Sequence, residues 1–285
     1  MEARGAELLA QSHDSTNAIY LDGSIRLLNE LGRGAMGTVF SAVDETLERI
    51  VAVKFLLPEL QADPSLARRF RVEAKATASI RHNNVIQIYT FGRHGTSDYF
   101  VSEYIDGPTV EESLAITSGR KEQLPLECAL WILDQSAAGL AAVHAAGVVH
   151  RDIKPGNFMA EVDTGRIVIM DFGIGYRRDV SGNDEEEEEK GPASGTPAYM
   201  APETIAEKDD GQGGALADIY AYGVTAFEIL TGRLPFQSDD WVLMFRQHLN
   251  NAPPAPSTFR PDLPSGLDEF VLRCLAKKPS ERFQS

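Results

Sequence analysis

The pattern of apolar and polar positions divides the chain into a strand-rich first part and a helix-rich second part. In residues 25–54, β-branched residues mix with turn residues, which predicts strands. Similar segments return at residues 85–89 and 99–104. Asp63, followed by a proline, predicts the start of a helix, and no helix breaker follows until residue 80.

Beyond the pair Gly107-Pro108 the pattern becomes helical. Residues 127–146 are rich in alanine and leucine and are followed by Gly147, a typical residue at helix C-termini. Residues 1–23 are polar and weakly patterned, so we interpret them as a tail. The whole pattern predicts a small β-rich lobe, a hinge near residues 103–107, and a larger, mainly helical lobe. Further helices are predicted over residues 215–231, 240–250 and 267–276.

Composition narrows the class of protein. The 285 residues are 43% hydrophobic, which is enough for a sizeable core in one large domain or two lobes. The formal net charge is −15, and there is no cluster of lysine and arginine of the kind that binds nucleic acid. No segment has the roughly 20 apolar residues of a transmembrane helix. We therefore expect no membrane segment within this chain, no nucleic-acid partner and a cytoplasmic location.

The two cysteines, Cys128 and Cys274, lie far apart and outside any metal-binding spacing. This argues against a disulfide framework or a zinc site, and it favours a reducing compartment.

The segment "LGRGAMGTVF" carries three glycines, Gly32, Gly34 and Gly37, in G-x-G-x-x-G spacing. A dinucleotide-binding fold uses the same spacing, but there the motif opens a helix. Here strand-like residues follow, which favours a glycine-rich turn between two strands that can fold over a triphosphate. A simple hairpin turn is the alternative, because glycines serve turns generally.

Lys54 ends the apolar segment "VAVK", where its ammonium group would be partly buried. A buried ammonium group requires anions, which phosphate oxygens and a carboxylate would supply. Glu73 lies in the middle of the helix predicted to follow and is the candidate carboxylate. The alternative is a solvated glutamate, because Arg71 and Lys75 lie nearby in the sequence.

Two further segments supply the chemistry of phosphoryl transfer. "VVHRDIKPGNFM" contains Asp152, Lys154 and Asn157, and "IVIMDFGIG" contains Asp171 after an apolar strand. Asp171 and Asn157 offer the oxygen ligands that Mg²⁺ prefers. Asp152 can accept the proton of a hydroxyl nucleophile, and Lys154 can neutralise charge on the moving phosphoryl group.

Taken together in this order, and followed by "GTPAYMAPE", these motifs resemble those of the eukaryotic-type (Hanks-type) protein Ser/Thr kinases, and bacterial members most closely. The resemblance runs from about residue 25 to the end of the chain. It implies an α+β, bilobal protein-kinase fold: a small antiparallel β-rich N-lobe with one main helix, a larger mainly α-helical C-lobe, and ATP in the cleft. The catalytic domain would span residues 24–285, with the N-lobe at 24–102, the hinge at 103–107 and the C-lobe at 108–285, ending before the family's final helix.

The resemblance also assigns roles. Lys54 would contact the α- and β-phosphates of ATP and pair with Glu73, and Asp152 would be the catalytic base. Asn157 and Asp171 would hold Mg²⁺, with Mn²⁺ as an alternative ion. The residues implied to contact ATP or its metal are Leu31, Gly32, Arg33, Gly34, Ala35, Met36, Gly37, Val39, Ala52, Lys54, Glu103, Ile105, Met159 and Asp171.

Other implied roles concern the walls and supports of the site. The gatekeeper position falls on Ser102, whose small side chain would leave an open pocket behind the adenine ring. Thr196 would bond the catalytic-loop aspartate and lysine and would help to shape the acceptor site for serine or threonine. Glu203 would pair with Arg282, and Asp218 would brace the catalytic loop.

Several residues receive no functional interpretation. His144 is expected to be a packed helix residue, and His248 is expected to lack convergent partners. Cys128 and Cys274 are expected to be structural thiols, and Trp131 and Trp241 to be core residues.

The acidic residues 184–189 precede the Gly-Thr-Pro turn, where many bacterial relatives carry phosphothreonines. The run can be a solvated tether, or a glutamate in it can pair with Arg151 and supply part of the effect of a phosphate.

The leading hypothesis is an active, non-specific protein serine/threonine kinase that also phosphorylates itself, with a homodimer as the means of reaction in trans. The alternatives are a nucleotide-binding pseudokinase scaffold, which usually lacks one of the motif residues present here, and a small-molecule kinase, which would not need the peptide-docking segment "GTPAYMAPE".

Overall fold

The structure, a computed structural model, describes residues 19–34, 36–120, 122–172, 196–206 and 214–285. The chain forms two compact units. The first comprises Met1–Gly107 and Glu161–Gly165, and the second comprises Pro108–Ala160 and Arg166–Ser285.

The first unit is built on one antiparallel sheet. Its six strands are hydrogen-bonded in the order β1-β2-β3-β4-β6-β5. Apart from the last pair, which is reversed, the order follows the chain, as expected for strands joined by short turns. The strands are β1 (Tyr20–Leu21), β2 (Ile25–Arg33), β3 (Gly37–Asp44), β4 (Arg49–Leu56), β5 (Ile88–His94) and β6 (Ser97–Glu103).

Strand β1 corrects the interpretation of residues 1–23 as a tail at residues 20–21 alone, and residues 1–18 lie outside the described residues. Tyr20 and Leu21 pair with β2, and Leu21 is fully buried in the core of the first unit beside Val51, Val53 and Val101. The strand is only two residues long, and burial of one leucine holds it in the sheet. A pattern of that length carries no periodicity from which a strand could be predicted.

Two helices complete the first unit, α1 (Pro58–Gln61) and α2 (Pro64–Ala78). Helix α2 confirms the predicted start, because the Asp63 carboxylate accepts a hydrogen bond from the Ser65 backbone amide at 2.8 Å. The helix packs on the sheet through Phe70, which is fully buried against Phe91 and Phe100.

The second unit is mainly helical around one apolar core. A short antiparallel pair, β7 (Phe158–Ala160) and β8 (Ile167–Ile169), lies among the helices. The helices are α3 (Val110–Gly119), α4 (Leu126–Ala145), α5 (Pro202–Ile205), α6 (Gly214–Thr231), α7 (Trp241–Asn250) and α8 (Leu267–Cys274).

Helices α4, α6, α7 and α8 agree with the predicted ones to within two residues at each end. Gly147 follows α4 with φ = +72°, the left-handed conformation that favours glycine at a helix C-terminus. Helix α3 was not predicted, although its start carries a capping box: Thr109 and Glu112 each accept a hydrogen bond from the other's backbone amide.

The expectation that both tryptophans are core residues was wrong. Trp131 is 55% exposed and Trp241 is 60% exposed. Cys128 is exposed as well, whereas Cys274 is buried. Each of these exposed residues lies on a helix at a position that faces away from the core, where residue type alone does not decide burial.

One helix among the described residues, Leu126–Ala145, is long and apolar enough to cross a membrane by length and composition alone. Core helices pass the same test, and seven residues of this helix, from Ala129 to Val143, are buried.

Candidate active site

The glycine-rich turn joins β2 to β3 in the first unit. The Gly34 amide donates to the Gly37 carbonyl at 2.9 Å, and all three glycines lie outside the left-handed φ region. A Cβ at Gly32 would have no described atom within 4 Å, and one at Gly34 would meet only the Gly37 carbonyl oxygen, at 3.9 Å. Neither backbone conformation nor packing among the described residues requires glycine at these two positions, and their role in phosphate binding stays a prediction.

Gly37 has a different explanation. A Cβ there would lie 2.5 Å from the Phe55 carbonyl oxygen, so the close pairing of β3 and β4 requires glycine. Ala35, another residue implied to contact ATP, lies outside the described residues.

Lys54 lies on β4 opposite Val39 of β3 and Phe100 of β6. Its side chain is half-buried, as the sequence predicts, and its Nζ lies 6.0 Å from the centre of the Phe100 ring. Glu73 is half-buried in the middle of α2. The ion pair between Lys54 and Glu73 stays a prediction.

Strand pairing brings the residues implied to surround adenine onto one face of the sheet. Ala52 pairs with Ser102, and Val39 pairs with Lys54, two residues beyond Ala52. Paired residues and residues two apart on a strand share a face, so Val39, Ala52, Lys54 and Ser102 lie on the same side. Ser102 is buried, and its hydroxyl donates to the Glu103 carbonyl at 3.3 Å.

The hinge residues are held by neighbouring backbone. The Glu103 amide donates to the Gln87 carbonyl at 2.9 Å, and a Glu103 carboxylate oxygen accepts from the Gln87 amide at 2.8 Å. Ile105 is buried. The remaining residue implied for the adenine site, Met159, lies on β7 in the second unit.

The catalytic-loop residues form a connected group in the second unit. Lys154 Nζ lies 2.7 Å from Asp152 Oδ2 and donates to Thr196 Oγ1 at 2.9 Å. Asn157 Nδ2 donates to Asp152 Oδ2 at 2.9 Å and to the Asp152 carbonyl at 2.6 Å. The predicted contact between Thr196 and Lys154 is confirmed, and it joins the "GTP" segment to the aspartate through the lysine.

The pairing of β7 with β8 places the two candidate metal ligands at the same end of the hairpin. Asn157 immediately precedes β7, Asp171 lies two residues after β8, and Phe158 pairs with Ile169. Because Asn157 Nδ2 donates to Asp152, its Oδ1 is the atom that could face a cation. A carboxylate and an amide oxygen suit a hard divalent ion.

Across the described ranges, no cluster of three or more His, Cys, Asp or Glu residues is arranged to hold a metal. Mg²⁺ is commonly bound by one or two protein ligands, with waters and substrate phosphates completing its coordination. Asp171 has φ = +53°, and such a conformation in a non-glycine residue costs energy that a functional position can explain.

The carboxylate of Asp218 braces the catalytic loop, which confirms the predicted role. Buried on α6, it accepts hydrogen bonds from the amides of His150 and Arg151, at 2.8 and 2.7 Å. Arg151 has φ = +68°, so these bonds hold a strained backbone. The Asp218 carboxylate also lies 2.9 Å from His144 Nε2. The expectation of mere packing for His144 was therefore incomplete.

His150 is fully buried, and its burial lowers the pKa of the imidazole, although Asp218 and other carboxylates oppose that shift. A neutral ring suits its neighbours, because Nε2 can donate to the Met170 carbonyl at 3.1 Å while Nδ1 accepts from the Asp152 amide at 3.3 Å. The ring also contacts that of Phe172, with centres 4.6 Å apart. His150 thus links the catalytic loop to the residues on either side of Asp171.

Two buried contacts support the segment after Thr196. Tyr199 donates to Glu228 at 2.6 Å, and burial raises the pKa of both groups. Arg282 donates to both carboxylate oxygens of Glu203, which confirms that predicted pair. No sequence motif indicated the Tyr199–Glu228 contact, because its partners lie 29 residues apart.

The comparisons with known proteins identify the family. The protein kinase domain model matches residues 25–285, so the chain belongs to the protein kinase domain family. This family uses ATP and a divalent metal ion.

The acidic run 184–189 and Gly173 lie outside the described residues.

Two of the curated relatives are bacterial kinases. The chain is 39% identical over 271 residues to the probable serine/threonine-protein kinase SCO3848 of Streptomyces coelicolor, covering 93% of this chain and 38% of the relative. It is 35% identical over 272 residues to serine/threonine-protein kinase PknA of Mycobacterium tuberculosis, covering 94% of this chain and 60% of PknA. The chain therefore spans about two to three fifths of these relatives. They confirm the resemblance to Hanks-type Ser/Thr kinases.

Solved structures confirm the bilobal kinase fold class. The crystal structure of the Mycobacterium tuberculosis PknI kinase domain has a TM-score of 0.70 at 27% identity and covers 95% of each chain. Rad53 residues 1–466, in complex with AMP-PNP, has a TM-score of 0.72 at 22% identity, covering 91% of this chain and 62% of that one. At that identity the likeness to Rad53 concerns the fold alone.

Proposed function

We propose that this chain is an active protein serine/threonine kinase that transfers the γ-phosphate of ATP to serine and threonine hydroxyls of proteins, including its own. The observation that carries the proposal is the connected group of Asp152, Lys154 and Thr196, with Asn157 donating to the same aspartate oxygen. This group combines a proton acceptor, a positive charge and a hydroxyl-lined acceptor site.

Each residue of the group has a separate task. The Asp152 carboxylate orients the acceptor hydroxyl and takes its proton. The Lys154 ammonium, already 2.7 Å from Asp152, offsets negative charge on the transferring phosphoryl group. Thr196 fixes the lysine and shapes the place where a small aliphatic hydroxyl docks.

The residues proposed to hold the nucleotide lie on the first unit's sheet and its glycine-rich turn. Backbone amides near Gly32 and Gly34 hold phosphate oxygens, and Lys54 contacts the α- and β-phosphates while pairing with Glu73. The Glu103 carbonyl and the Ile105 amide bind the adenine edge, and Val39 and Ala52 contact the ring.

Asn157 Oδ1 and the Asp171 carboxylate would hold Mg²⁺, or Mn²⁺ as an alternative. When bound, that ion neutralises the β- and γ-phosphate oxygens. The proposed partners are proteins with serine or threonine acceptors, a homodimer supports phosphorylation in trans, and the proposed location is the cytoplasm.

One experiment tests this function against its alternatives. The protein is incubated with γ-labelled ATP and a protein mixture, with Mg²⁺ or with EDTA, and labelled protein is hydrolysed for phosphoamino acid analysis. We expect Mg²⁺-dependent label on phosphoserine and phosphothreonine. Nucleotide binding without any transfer would indicate a pseudokinase, and label on small molecules alone would indicate a small-molecule kinase.

A further inference from the structure

A buried carboxylate in the first unit joins helix α2 to the sheet. Asp98, near the start of β6, is fully buried. Its Oδ2 lies 3.1 Å from a terminal nitrogen of Arg71 on α2, and its Oδ1 lies 2.5 Å from Arg93 Nε on β5. Its amide donates to the Gln61 side chain on α1 at 3.0 Å. One residue therefore links both helices of this unit to two strands.

The carboxylate of Asp98 is ionised. Burial alone would raise its pKa, but the hydrogen bonds and positive charges of Arg93 and Arg71 together outweigh burial and lower it. The two arginines are 45% and 53% exposed, so their own desolvation is limited. Because each guanidinium neutralises the same carboxylate, either arginine can be replaced while the other keeps Asp98 paired.

The geometry of α2 relates this ion pair to Glu73. Each residue of an α-helix turns by about 100°. Relative to the buried Phe70, Arg71 therefore lies about 100° to one side and Glu73 about 60° to the other. Phe70 packs on Phe91 and Phe100, and Ala67, Ala74 and Thr77 are buried on the same side, so packing decides which face of α2 meets the sheet. Apolar packing is non-directional, and it leaves room for a polar contact to adjust the rotation of that face. The ion pair of Arg71 with Asp98 is directional, and it fixes one flank of the helix.

We propose that the Arg71–Asp98 ion pair sets the rotation of α2 and so places Glu73 for its partnership with Lys54. Arg71 and Asp98 are then positioning residues that act through Glu73. This inference rests on the proposed function, in which Lys54 holds the phosphates of ATP.

Arg93 supplies a matched control. It shares the carboxylate with Arg71 and makes the shorter contact, and it is the first source of hydrogen bonding that lowers the pKa of Asp98. It joins two strands that already pair, since Arg93 and Asp98 are register partners. Its loss weakens the sheet without releasing α2.

The test compares Arg71→Met with Arg93→Met. Methionine keeps an apolar stem but removes the Arg71 guanidinium, whose central carbon lies 5.7 Å from the centre of the Phe91 ring. We expect Arg93→Met to lower the melting temperature at least as much as Arg71→Met. We expect the reverse order in activity: Arg71→Met lowers kcat and raises the KM for ATP, on the order of tenfold in kcat/KM, because small misplacements of catalytic groups are costly. Arg93→Met stays within about twofold of the parent protein.

Two further arms separate positioning from stability. Arg71→Lys keeps the charge and should recover most of the kcat/KM lost in Arg71→Met. In a Glu73→Gln background, Arg71→Met should lower kcat/KM little further, because the effects of substitutions at two residues that act through one another are not additive.

Hydrogen exchange of the nucleotide-free protein gives a readout that does not need activity. Backbone amides of residues 65–78 in α2 should exchange faster in Arg71→Met than in Arg93→Met or the parent. An inactive parent would overturn the proposed function. Hydrogen exchange would still test whether the Arg71–Asp98 ion pair holds α2. If activity follows melting temperature in both variants, or if exchange of this helix is unchanged in Arg71→Met, the inference is overturned.

Discussion

Arg282 donates to both carboxylate oxygens of Glu203, at 2.6 and 2.8 Å, across 79 residues of chain. The guanidinium is fully buried and also donates to the carbonyls of Leu216 and Ala276. Arg282 thereby connects Glu203, in the segment after Thr196, to Leu216 in the first turn of α6 and to Ala276 after α8.

Glu203→Gln should destabilise the protein strongly. The substitution leaves the Arg282 charge buried without its counter-ion, and breaking a buried pair in this way costs roughly 3–5 kcal/mol. Urea unfolding measures the loss. The control is Glu281→Gln, which removes an exposed pair with Lys278 and should cost less than about 1 kcal/mol. Equal losses in the two variants would show that the buried pair contributes nothing special.

Ser102→Met should weaken inhibitors that carry a bulky group behind the adenine ring. Ser102 is buried beside Ala52, so its small size sets the room available on that face of the sheet. We expect at least roughly tenfold weaker inhibition with little change in the KM for ATP, because methionine fills the space that the bulky group needs. Ser97→Met, at the other end of the same strand, is the control. Identical inhibition of all three proteins would refute the assignment.

The buried His248 should make stability depend on pH. Contrary to expectation it has a partner, since its Nδ1 lies 2.9 Å from the Tyr220 hydroxyl. Burial, and then the charge of Lys277, lower its pKa to about 4, so the ring is neutral when folded. Above pH 6.5 the ring is neutral in the folded and the unfolded protein, so the contribution of His248 to folding stability is complete. As the pH falls from 6.5 to about 4, only the unfolded ring gains a proton, and this part of the stability is lost.

His248→Gln should flatten this dependence. In the parent, the free energy of unfolding should fall by on the order of 3 kcal/mol between pH 6.5 and 4 because of His248, since each unit of pKa shift corresponds to about 1.4 kcal/mol. The variant should lack this decrease. Urea unfolding of the parent and the variant across this range measures it. His94→Gln, at an exposed position, should follow the parent curve. A variant curve parallel to that of the parent would contradict the role of His248.

The acidic residues 184–189 lie outside the described residues, and their role stays a prediction from the sequence. A carboxylate has one charge where a phosphate brings about −1.5 to −2, and an exposed pair with Arg151 is worth only ~0.2–1 kcal/mol. Replacement of Glu185–Glu189 by glutamine should therefore lower, without abolishing, the activity of phosphatase-treated protein. If treated parent and treated variant match at low and high salt, the run is only a solvated tether.

Local signals in the sequence predicted much of this fold, and distant contacts account for most of what it missed. Asp63 and Gly147 mark helix ends through their own neighbours, so α2 and α4 were predicted nearly to their bounds. Strand β1 depends on Leu21 filling a core that includes Val51, Val53 and Val101, which follow it 30 to 80 positions later in the chain. That dependence is invisible in a two-residue pattern.

The candidate site divides in the same way. The motifs around Asp152 and Asp171 have fixed spacing and were found directly. The contact of His144 with Asp218 joins residues 74 positions apart, and that of Arg71 with Asp98 joins residues 27 apart. Each of these residues is common on helices and strands, and only the folded chain pairs them.

The central claim is that Asp152 is the base of a phosphoryl transfer performed by this chain. The most direct measurement compares Asp152→Asn with the parent in two assays, nucleotide affinity and kcat for a protein substrate, with the exposed Asp163→Asn as control. We predict affinity within about twofold of the parent and a kcat lower by at least about 100-fold, the usual contribution of a positioned base. A kcat equal to that of the parent would contradict the account.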